Sequence, residues 1–235
     1  MDENRRAKRA NADEAAAVAD PRDRATEHHE FFHKAFPGGE DGMTILASGS
    51  TIRRSLLAGA GLDFAVERPA VDEDALKAGF AGTTEALAAM LAEAKAIEVS
   101  RRFPERWTIG SDSIAECRGV RFDKPVDRGE AAEHLRFFSG KALSLVSAVV
   151  VARGGAADWV QVDRARLWLR RLSDSFIEEY LAAEWPDVGA CVGVFRMEGR
   201  GATLFERVEG DYFTVLGLPL LPLLGALRER GVMTA

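Results

Sequence analysis

MTILASGSTIRR, residues 43–54, runs from an apolar segment through serine and glycine into a pair of arginines. Its apolar part, residues 43–47, predicts a buried β-strand, and Ser50 predicts the start of a helix that carries Leu56 and Leu57. A strand followed at once by a helix is the repeating unit of α/β folds. This stretch therefore predicts an α/β fold.

The remaining sequence continues to alternate strands with helices. Apolar residues recur at helical spacing over 83–100, and the pair Asp127 and Glu130 is typical of a capping box at a helix start. Strands are also predicted at 64–67, 107–110, 114–122 and 204–208, and helices at 127–140, 173–180 and 219–230. The β-rich segments 143–151 and 159–172 flank two glycines and predict a long hairpin. We therefore expect a mixed sheet rather than a purely parallel one.

Composition narrows the class of protein. The 235 residues suffice for one α/β domain or for two small lobes around a cleft. The net charge of −6 argues against binding of a nucleic-acid polymer, whereas a single nucleotide needs only a few well-placed cations. Two distant cysteines, the absence of an apolar run of about 20 residues and the lack of a signal peptide predict a cytoplasmic protein that does not enter a membrane.

Residues 1–42 differ from the rest, because they are rich in Ala, Arg, Asp and Glu and have no sustained apolar stripe. We interpret them as an atypical, mobile or partly helical tail before a domain that spans 43–235. Met43 directly precedes the first strand, so we hypothesise that the natural protein begins there. The segment His29-Glu30-Phe31-Phe32-His33 matches the H-E-x-x-H pattern of zinc proteases, but it lies in the tail and no third ligand is evident.

The serine- and glycine-rich start of the first helix is a candidate phosphate site. Backbone N–H groups at a helix N-terminus favour an anion, and the hydroxyls of Ser48 and Ser50 add donors. Arg53 and Arg54 lie near the positive end of the helix, which is unfavourable unless a negative group binds there. The alternative is that Ser50 only caps the helix and the arginines point into solvent. The stretch is not a Walker loop, since it lacks Gly-Lys-Ser/Thr.

Carboxylates and lysines elsewhere could complete a site for metal-assisted phosphate hydrolysis. Asp112 follows an apolar strand among small neighbours, and Glu73 follows another strand. Such carboxylates can hold a divalent ion or accept a proton from water. Lys95 on the long helix and Lys124 before a proline could bind phosphates. Spacing alone is equally compatible with an aspartate that caps a turn and with lysines that lie on the surface.

The order of these segments closely resembles the Maf family of nucleoside triphosphate pyrophosphatases, first known as septum-formation inhibitors. The matching segments are Ile45–Leu57, Val71–Glu73, Leu91–Ala96, Ile109–Ser113, Asp123–Pro125 and Glu206–Pro219. The resemblance implies a mixed, elongated and curved sheet with an active-site cleft between two lobes. It also implies an acid-anhydride hydrolase that releases pyrophosphate and a nucleoside monophosphate with Mg²⁺ or Mn²⁺, in nucleotide-pool cleansing. A homodimer is expected by the same analogy.

The resemblance also implies roles for individual residues. Asp112 matches the proton acceptor of the family, and Glu73 would join it in holding the metal and orienting water. The remaining polar cleft residues that match are Ser48, Arg53, Lys95 and Lys124, of which the three cations would bind the phosphates. How the metal-binding and base roles divide between the two carboxylates stays open. A rival interpretation is a nucleotide-binding regulator of septum formation that needs no turnover.

Three positions bear on the choice of base. Family members that act on dTTP and UTP tend to carry Arg, Thr and Gln where this chain has Ile52, Ser113 and Glu198. The branch that acts on 7-methyl-GTP tends to carry Trp, Gln and Glu, so only Glu198 matches it fully. The family often has Ser-Pro-Arg-Arg where this chain has residues 51–54, Thr-Ile-Arg-Arg. The chain is closer to the 7-methyl-GTP branch, and we expect a modified purine nucleotide, because Glu198 could accept hydrogen bonds from a guanine-like edge.

Overall fold

The computed structural model describes residues 44–234. The predictions of a tail at 1–42, of Met43 as the natural start and of a discounted zinc motif therefore lie outside the described residues. The elements are β1 (Thr44–Ala47), α1 (Thr51–Gly59), β2 (Phe64–Glu67), α2 (Glu73–Lys77), α3 (Thr84–Arg102), β3 (Thr108–Cys117), β4 (Val120–Phe122), α4 (Arg128–Phe138), β5 (Ala142–Arg153), β6 (Ala156–Leu169), α5 (Asp174–Glu184), β7 (Phe205–Glu209), α6 (Tyr212–Val215) and α7 (Leu220–Glu229). Two 3₁₀ segments, Asp187–Ala190 and Arg200–Leu204, lie between α5 and β7. Within 44–234, no helix is both long and apolar enough to cross a bilayer.

The strands of the described chain form one mixed sheet in the order β2-β1-β3-β5-β6-β7, with β4 paired to β3. Strand β1 runs parallel to β2 and β3, whereas the other pairs are antiparallel. The β5–β6 hairpin turns at Gly154 and Gly155, both of which have positive φ, as two-residue hairpin turns require. The predicted mixed α/β sheet is confirmed.

Strand β3 corrects the prediction of separate segments at 107–110 and 114–122. One strand runs from Thr108 to Cys117 and pairs with β5 without a break from Thr108 to Glu116. The small polar residues at 111–113 interrupt the apolar pattern, but they stay in the ladder because β5 supplies hydrogen bonds along their whole length. As a result, Asp112 lies within a strand rather than at its end.

Helix starts are fixed by side-chain caps, as the sequence predicts. Ser50 Oγ accepts a hydrogen bond from the backbone N–H of Arg53 at 3.4 Å. Asp127 accepts from the N–H of Glu130 at 2.8 Å, but the carboxylate of Glu130 accepts from Val126 at 2.7 Å rather than from Asp127. Only half of the predicted capping box therefore forms.

Close packing of α3 on the sheet depends on one glycine. A Cβ at Gly110 would lie 2.4 Å from the carbonyl oxygen of Ala92 and 2.6 Å from the backbone nitrogen of Ala96. Only glycine allows the helix to approach β3 this closely. Asp112, two residues after Gly110, lies on the same face of β3. The close approach of α3 to this face brings Asp112 within reach of Lys95.

The hydrophobic core divides along the sheet. One cluster, which includes Phe138 and Leu181, packs α4 and α5 against the β3–β7 end. A second, which includes Leu57 and Leu223, packs α1 and α7 near β1. Strand β3 contributes Ile109 to the second cluster and residues 115 and 117 to the first. The polar residues of β3 lie between these two apolar clusters, in keeping with two lobes around a cleft.

Candidate active site

The site is built around a gap beside β3. On one edge, β3 pairs with β1 only through Gly110 and with β4 only from Ala115 onward. Residues 111–114 therefore have no strand neighbour on this edge, although β5 covers the other. We call this stretch the β3 gap. Backbone polar groups that lack a ladder partner must be satisfied by side chains, water or ligand.

Arg53 projects into the β3 gap from the first turn of α1. Its Nε donates to the carbonyl of Gly217 at 2.9 Å, and its Nη1 donates to the carbonyl of Ser111 at 3.0 Å. Nη1 also contacts Ser48 Oγ at 3.4 Å, and Nη2 donates to Ser113 Oγ at 2.9 Å. Four of the five N–H donors of this guanidinium thus have protein acceptors, so its position is fixed before any ligand binds.

A network of hydroxyls supports Arg53 and was missed by sequence reasoning. Ser147 of β5 lies 2.9 Å from Ser113 Oγ and donates to the carbonyl of Thr214 at 3.0 Å. The carbonyl of Gly217 also accepts from Ser111 at 3.3 Å and from Ser113 at 3.2 Å. The available signal was a serine within the otherwise apolar β5. A backbone carbonyl such as that of Gly217 leaves no such signal.

Lys95 of α3 lies between the two predicted carboxylates. Its Nζ is 2.5 Å from Asp112 Oδ1 and 2.8 Å from Glu73 Oε1. The side chains of Lys95 and Asp112 are only 10% and 11% exposed, whereas Glu73 is 38% exposed. Buried charges are tolerated when they are paired in this way. The structure thus brings three predicted residues from separate elements into one cluster.

The position of Glu73 follows from the start of α2. Asp72 caps this short helix by accepting from the N–H of Ala75 at 3.0 Å, which orients the adjacent Glu73 toward α3. Burial alone would raise the pKa of Glu73, but the hydrogen bond from Lys95 and the charges of Lys95, Lys77 and Lys124 outweigh it. The pKa of Glu73 therefore lies below its ordinary value, and the carboxylate is ionised at neutral pH.

Arg53 lies in the field of the same two carboxylates. Burial lowers the pKa of Arg53, while the negative charges of Asp112 and Glu73 oppose that shift. An arginine stays protonated in proteins even so. The β3 gap therefore contains two cations and two carboxylates whose charges act on one another, and an added phosphate would meet fixed positive charge.

Lys124 lies near this cluster, whereas Glu198 is near Cys191. Both side chains are exposed, and Lys124 lowers the pKa of Glu73 through its charge. Burial and the charge of Glu198 raise the pKa of the Cys191 thiol, which Lys124 opposes. Lys124 and Glu198 therefore both lie near Cys191, and the place of Glu198 in the site stays a prediction.

The three predicted specificity positions are not equivalent. Ser113 is bound to Arg53 and Ser147 inside the β3 gap. Ile52 is half-buried on α1 next to Arg53. Ser113 is thus the specificity position that belongs to the hydrogen-bonded network around Arg53.

The carboxylate pair fits a divalent ion that arrives with phosphate. The described residues hold no group of three or more His, Cys, Asp and Glu side chains that could hold a metal. The oxygens Oδ1 of Asp112 and Oε1 of Glu73 face Lys95, and Oε2 of Glu73 lies 4.0 Å from Lys77, so Oδ2 of Asp112 is the oxygen without a cation beside it and Oε2 of Glu73 has only this longer contact. Mg²⁺ is commonly bound through one or two carboxylates together with substrate phosphates. The donor set thus suits an ion shared with substrate rather than a site made by protein alone.

Comparison with known proteins identifies the family. Residues 43–230 match the family described as Maf-like protein. A Granulibacter bethesdensis protein named nucleoside triphosphate pyrophosphatase is 45% identical over 193 residues, covering 81% of this chain and 98% of the relative. A Rhizobium meliloti protein named 7-methyl-GTP pyrophosphatase is 46% identical over 196 residues, covering 82% of this chain and 98% of the relative. The chain therefore belongs to the Maf-like protein family.

Proposed function

We propose that this chain is a nucleoside triphosphate pyrophosphatase that hydrolyses the bond between the α and β phosphates. Water attacks the α-phosphorus, the bond to the oxygen that bridges to the β-phosphorus breaks, and a nucleoside monophosphate and pyrophosphate leave. The observation that carries the proposal is the Glu73–Lys95–Asp112 cluster beside Arg53 in the β3 gap. The names of the relatives from Granulibacter bethesdensis and Rhizobium meliloti support the same reaction class.

Each charged residue has a distinct part in this reaction. Asp112 accepts the proton of the attacking water, since it is held in place by one short contact from Lys95. Lys95 has three N–H donors, of which two point at carboxylates, so one is left for a phosphate oxygen. Arg53 acts mainly as a fixed positive charge with one remaining N–H, and the exposed Lys124 binds the outer phosphates. Ser48 contributes its hydroxyl proton to the same anion.

Asp112 would hold a divalent ion through Oδ2, and Glu73 would hold it through Oε2 in place of the 4.0 Å contact with Lys77. We propose Mg²⁺ or Mn²⁺, because hard cations prefer carboxylate and phosphate oxygens. Such an ion, when bound, neutralises charge on the phosphates.

Base selection falls to the side of the site that carries Glu198. Glu198 is exposed and can accept hydrogen bonds from a purine N–H edge, while Ile52 offers an apolar wall. Ser113 is bound to Arg53 and therefore has less freedom to contact a base. A modified purine nucleotide such as the 7-methyl-GTP in the name of the Rhizobium meliloti relative is the substrate that we favour.

We place this reaction in the cytoplasm as a proposal. The cysteines Cys117 and Cys191 are both free thiols, as expected of a protein in a reducing compartment. A homodimer is our proposal for the assembly, by family analogy alone.

The decisive test replaces Asp112 with asparagine and measures pyrophosphate release from normal and 7-methylated triphosphates, with Mg²⁺, with Mn²⁺ and without metal. We expect turnover to fall by about 10²–10⁴, the usual contribution of a general base. Asp63→Asn, at an exposed aspartate, is the control that should retain activity. Full turnover by Asp112→Asn with an unchanged melting temperature would refute the assignment. If that variant lost turnover but still regulated septum formation in cells, a regulator without turnover would be the better description.

A further inference from the structure

A second concave feature lies outside the β3 gap. It is an open groove of about 590 Å³ between the β3–β4 turn and the loop that joins α4 to β5. Four of the lining side chains are cationic, Arg118, Lys141, Arg164 and Arg166, and Glu116 is the acidic one. We call this feature the basic groove. Its charge contrasts with the net charge of −6 of the whole chain.

Part of this charge is already neutralised. Arg164 binds Glu85 at 2.6 Å and lies 3.7 Å from Glu116, whose carboxylate also accepts the hydroxyl of Thr84. Glu116 therefore has Arg164 and Thr84 as its partners and does not pair with the other cations of the groove.

The remaining cations lack acidic partners among the described residues. The side chains of Arg118 and Arg166 make no hydrogen bond or ion pair there, and Glu209, which lies opposite Arg166 on β7, pairs with Arg207 instead. Lys141 reaches only neutral groups, the carbonyl and the ring of Phe137. Unpaired like charges held close together repel one another, so an anion that enters the groove is favoured.

Arg166 lines the groove together with residues of β3, β5 and β6. Ser144 of β5 lies between Glu116 on β3 and Arg166 on β6, and Arg166 pairs in turn with Glu209 on β7. These residues share the face of the sheet on which α3 packs, next to its first turn. Arg166 is exposed there, and Ser144, its cross-strand neighbour, also lines the groove.

The arginine at position 118 is not explained by the backbone. Arg118 has φ 52 and Gly119 has φ 78, which together make a hairpin turn of the type that favours Asn or Gly at its first position. A side chain with a Cβ is disfavoured in this left-handed region. Gly119 has open space around its Cβ position, so the turn leaves the groove accessible. An arginine at such a position points to a role for its side chain.

We propose that the basic groove binds a phosphate-bearing anion of nucleotide size, through a diphosphate group, at a site separate from the β3 gap. Guanidinium groups pair with phosphate oxygens in a bidentate manner, and the volume suits a small ligand rather than a polymer. Glu116 lies four residues beyond Asp112 on β3, which separates the two sites by about 13 Å. Binding is measured without turnover, but the expected count of two sites rests on the proposed function, which supplies the site in the β3 gap. The two ideas fail separately, because Arg118→Gln/Arg166→Gln tests the groove and Lys124→Gln tests the gap.

The test is a calorimetric titration of inorganic pyrophosphate into the full chain in metal-free buffer. We expect two sites per chain in the unaltered protein. The double variant Arg118→Gln/Arg166→Gln should bind pyrophosphate at least tenfold more weakly at one of them. The matched control, Arg101→Gln/Arg228→Gln, removes the same charge from exposed arginines on α3 and α7 and should keep both sites. Lys124→Gln should weaken only the other site.

The outcomes separate this proposal from its rivals. A GDP titration distinguishes the sources of the diphosphate: competition with pyrophosphate at the groove supports a nucleotide, and binding that GDP does not displace supports pyrophosphate itself. A single site that Lys124→Gln abolishes would overturn the proposal, as would equal isotherms for the two double variants. If Arg118→Gln/Arg166→Gln instead dissociated a dimer in sedimentation and left pyrophosphate binding unchanged, the groove would be a protein interface and the proposal wrong.

Discussion

The two cations of the β3 gap, Arg53 and Lys95, are held by different kinds of partner. Arg53 is bound by the main-chain carbonyls of Ser111 and Gly217 and by serine hydroxyls. Lys95 is bound by the ionisable carboxylates Asp112 and Glu73. Carbonyl and hydroxyl partners do not change with pH or with a bound cation, whereas carboxylates do.

Because of this difference, we expect Arg53 and Lys95 to behave differently when substrate binds. Arg53 is preorganised, and its location is set by the backbone of β3 and of the segment that links α6 to α7. In the proposed reaction Lys95 would share its partners with a metal or an attacking water, so we expect its contacts to rearrange when substrate binds. A preorganised charge such as that of Arg53 stabilises a developing anion without a reorganisation cost. The charge that Lys95 can offer to a phosphate depends instead on whether its partner Asp112 is protonated. Variants on each side of the gap should therefore fail in different ways.

The largest effect is expected from Lys95→Met. The change leaves Asp112 and Glu73 without their shared ammonium, so the carboxylates repel each other and a phosphate loses one donor. We expect kcat for pyrophosphate release to fall by about 10²–10³. The control is Lys77→Met, which removes another ammonium 4.0 Å from Glu73 but none that touches Asp112. A Lys95→Met enzyme no slower than the Lys77→Met enzyme would contradict a central role for the shared ammonium.

A smaller effect is expected on the Arg53 side from Gly217→Ala. Gly217 has φ +95, and a Cβ there would lie 3.1 Å from Ser113 Oγ and 3.8 Å from Arg53 Nη2. The backbone strain should cost about 1–2 kcal/mol of unfolding free energy, and the displaced guanidinium should lower kcat by about 10²-fold at most.

The control for this change is Gly231→Ala, at a glycine with φ +70 and open space around its Cβ position. It introduces similar backbone strain far from the gap, so it should lose stability but keep kcat. An equal loss of kcat in both variants would show that strain, rather than the position of Arg53, causes the defect.

The contrast between the two cations also marks the limit of sequence reasoning. The Lys95 side was predictable, because Lys95, Asp112 and Glu73 are charged and lie in elements that the sequence identifies. The Arg53 side was only partly predictable, because the main acceptor of Arg53 is the main-chain carbonyl of Gly217, 164 positions away. Which backbone atoms meet in space depends on the path of the chain rather than on residue type.

The fold shows the same division between pattern and context. Hairpin β5–β6 and helix α3 followed their apolar periodicity closely. Strand β3 did not, because Ser111, Asp112 and Ser113 break the apolar pattern while β5 holds them in the ladder. The short helix α2 was also absent from the prediction, since a segment of this length carries too little periodicity to be recognised. In β3, the residues that violate the local pattern include Asp112 and Ser113, which contact Lys95 and Arg53 in the candidate site.

The smallest effect is expected from Glu73→Gln, on the Lys95 side, and concerns how stability depends on pH. The free energy of unfolding is measured by chemical denaturation between pH 3 and 7, which roughly spans the titration of carboxyl groups. The pKa of Glu73 lies below its ordinary value of 4.5, so the unfolded chain binds this proton more readily than the folded one. Its contribution is fully present above the unfolded pKa and is lost as pH falls through the folded pKa. Because Glu73 is 38% exposed, we expect a difference of about 0.5–1 kcal/mol near pH 7 that disappears in acid.

The matched control for this measurement is Asp74→Asn, which removes a first-turn carboxylate of the same helix without touching Lys95. If both variants lost the same stability with the same pH profile, the helix terminus rather than the Lys95 contact would be the cause. A loss confined to Glu73→Gln would show that the ammonium is bound through a group whose charge can be titrated. A titratable partner distinguishes Lys95 from Arg53, because the carbonyls and the hydroxyl that accept from Arg53 do not titrate in this range.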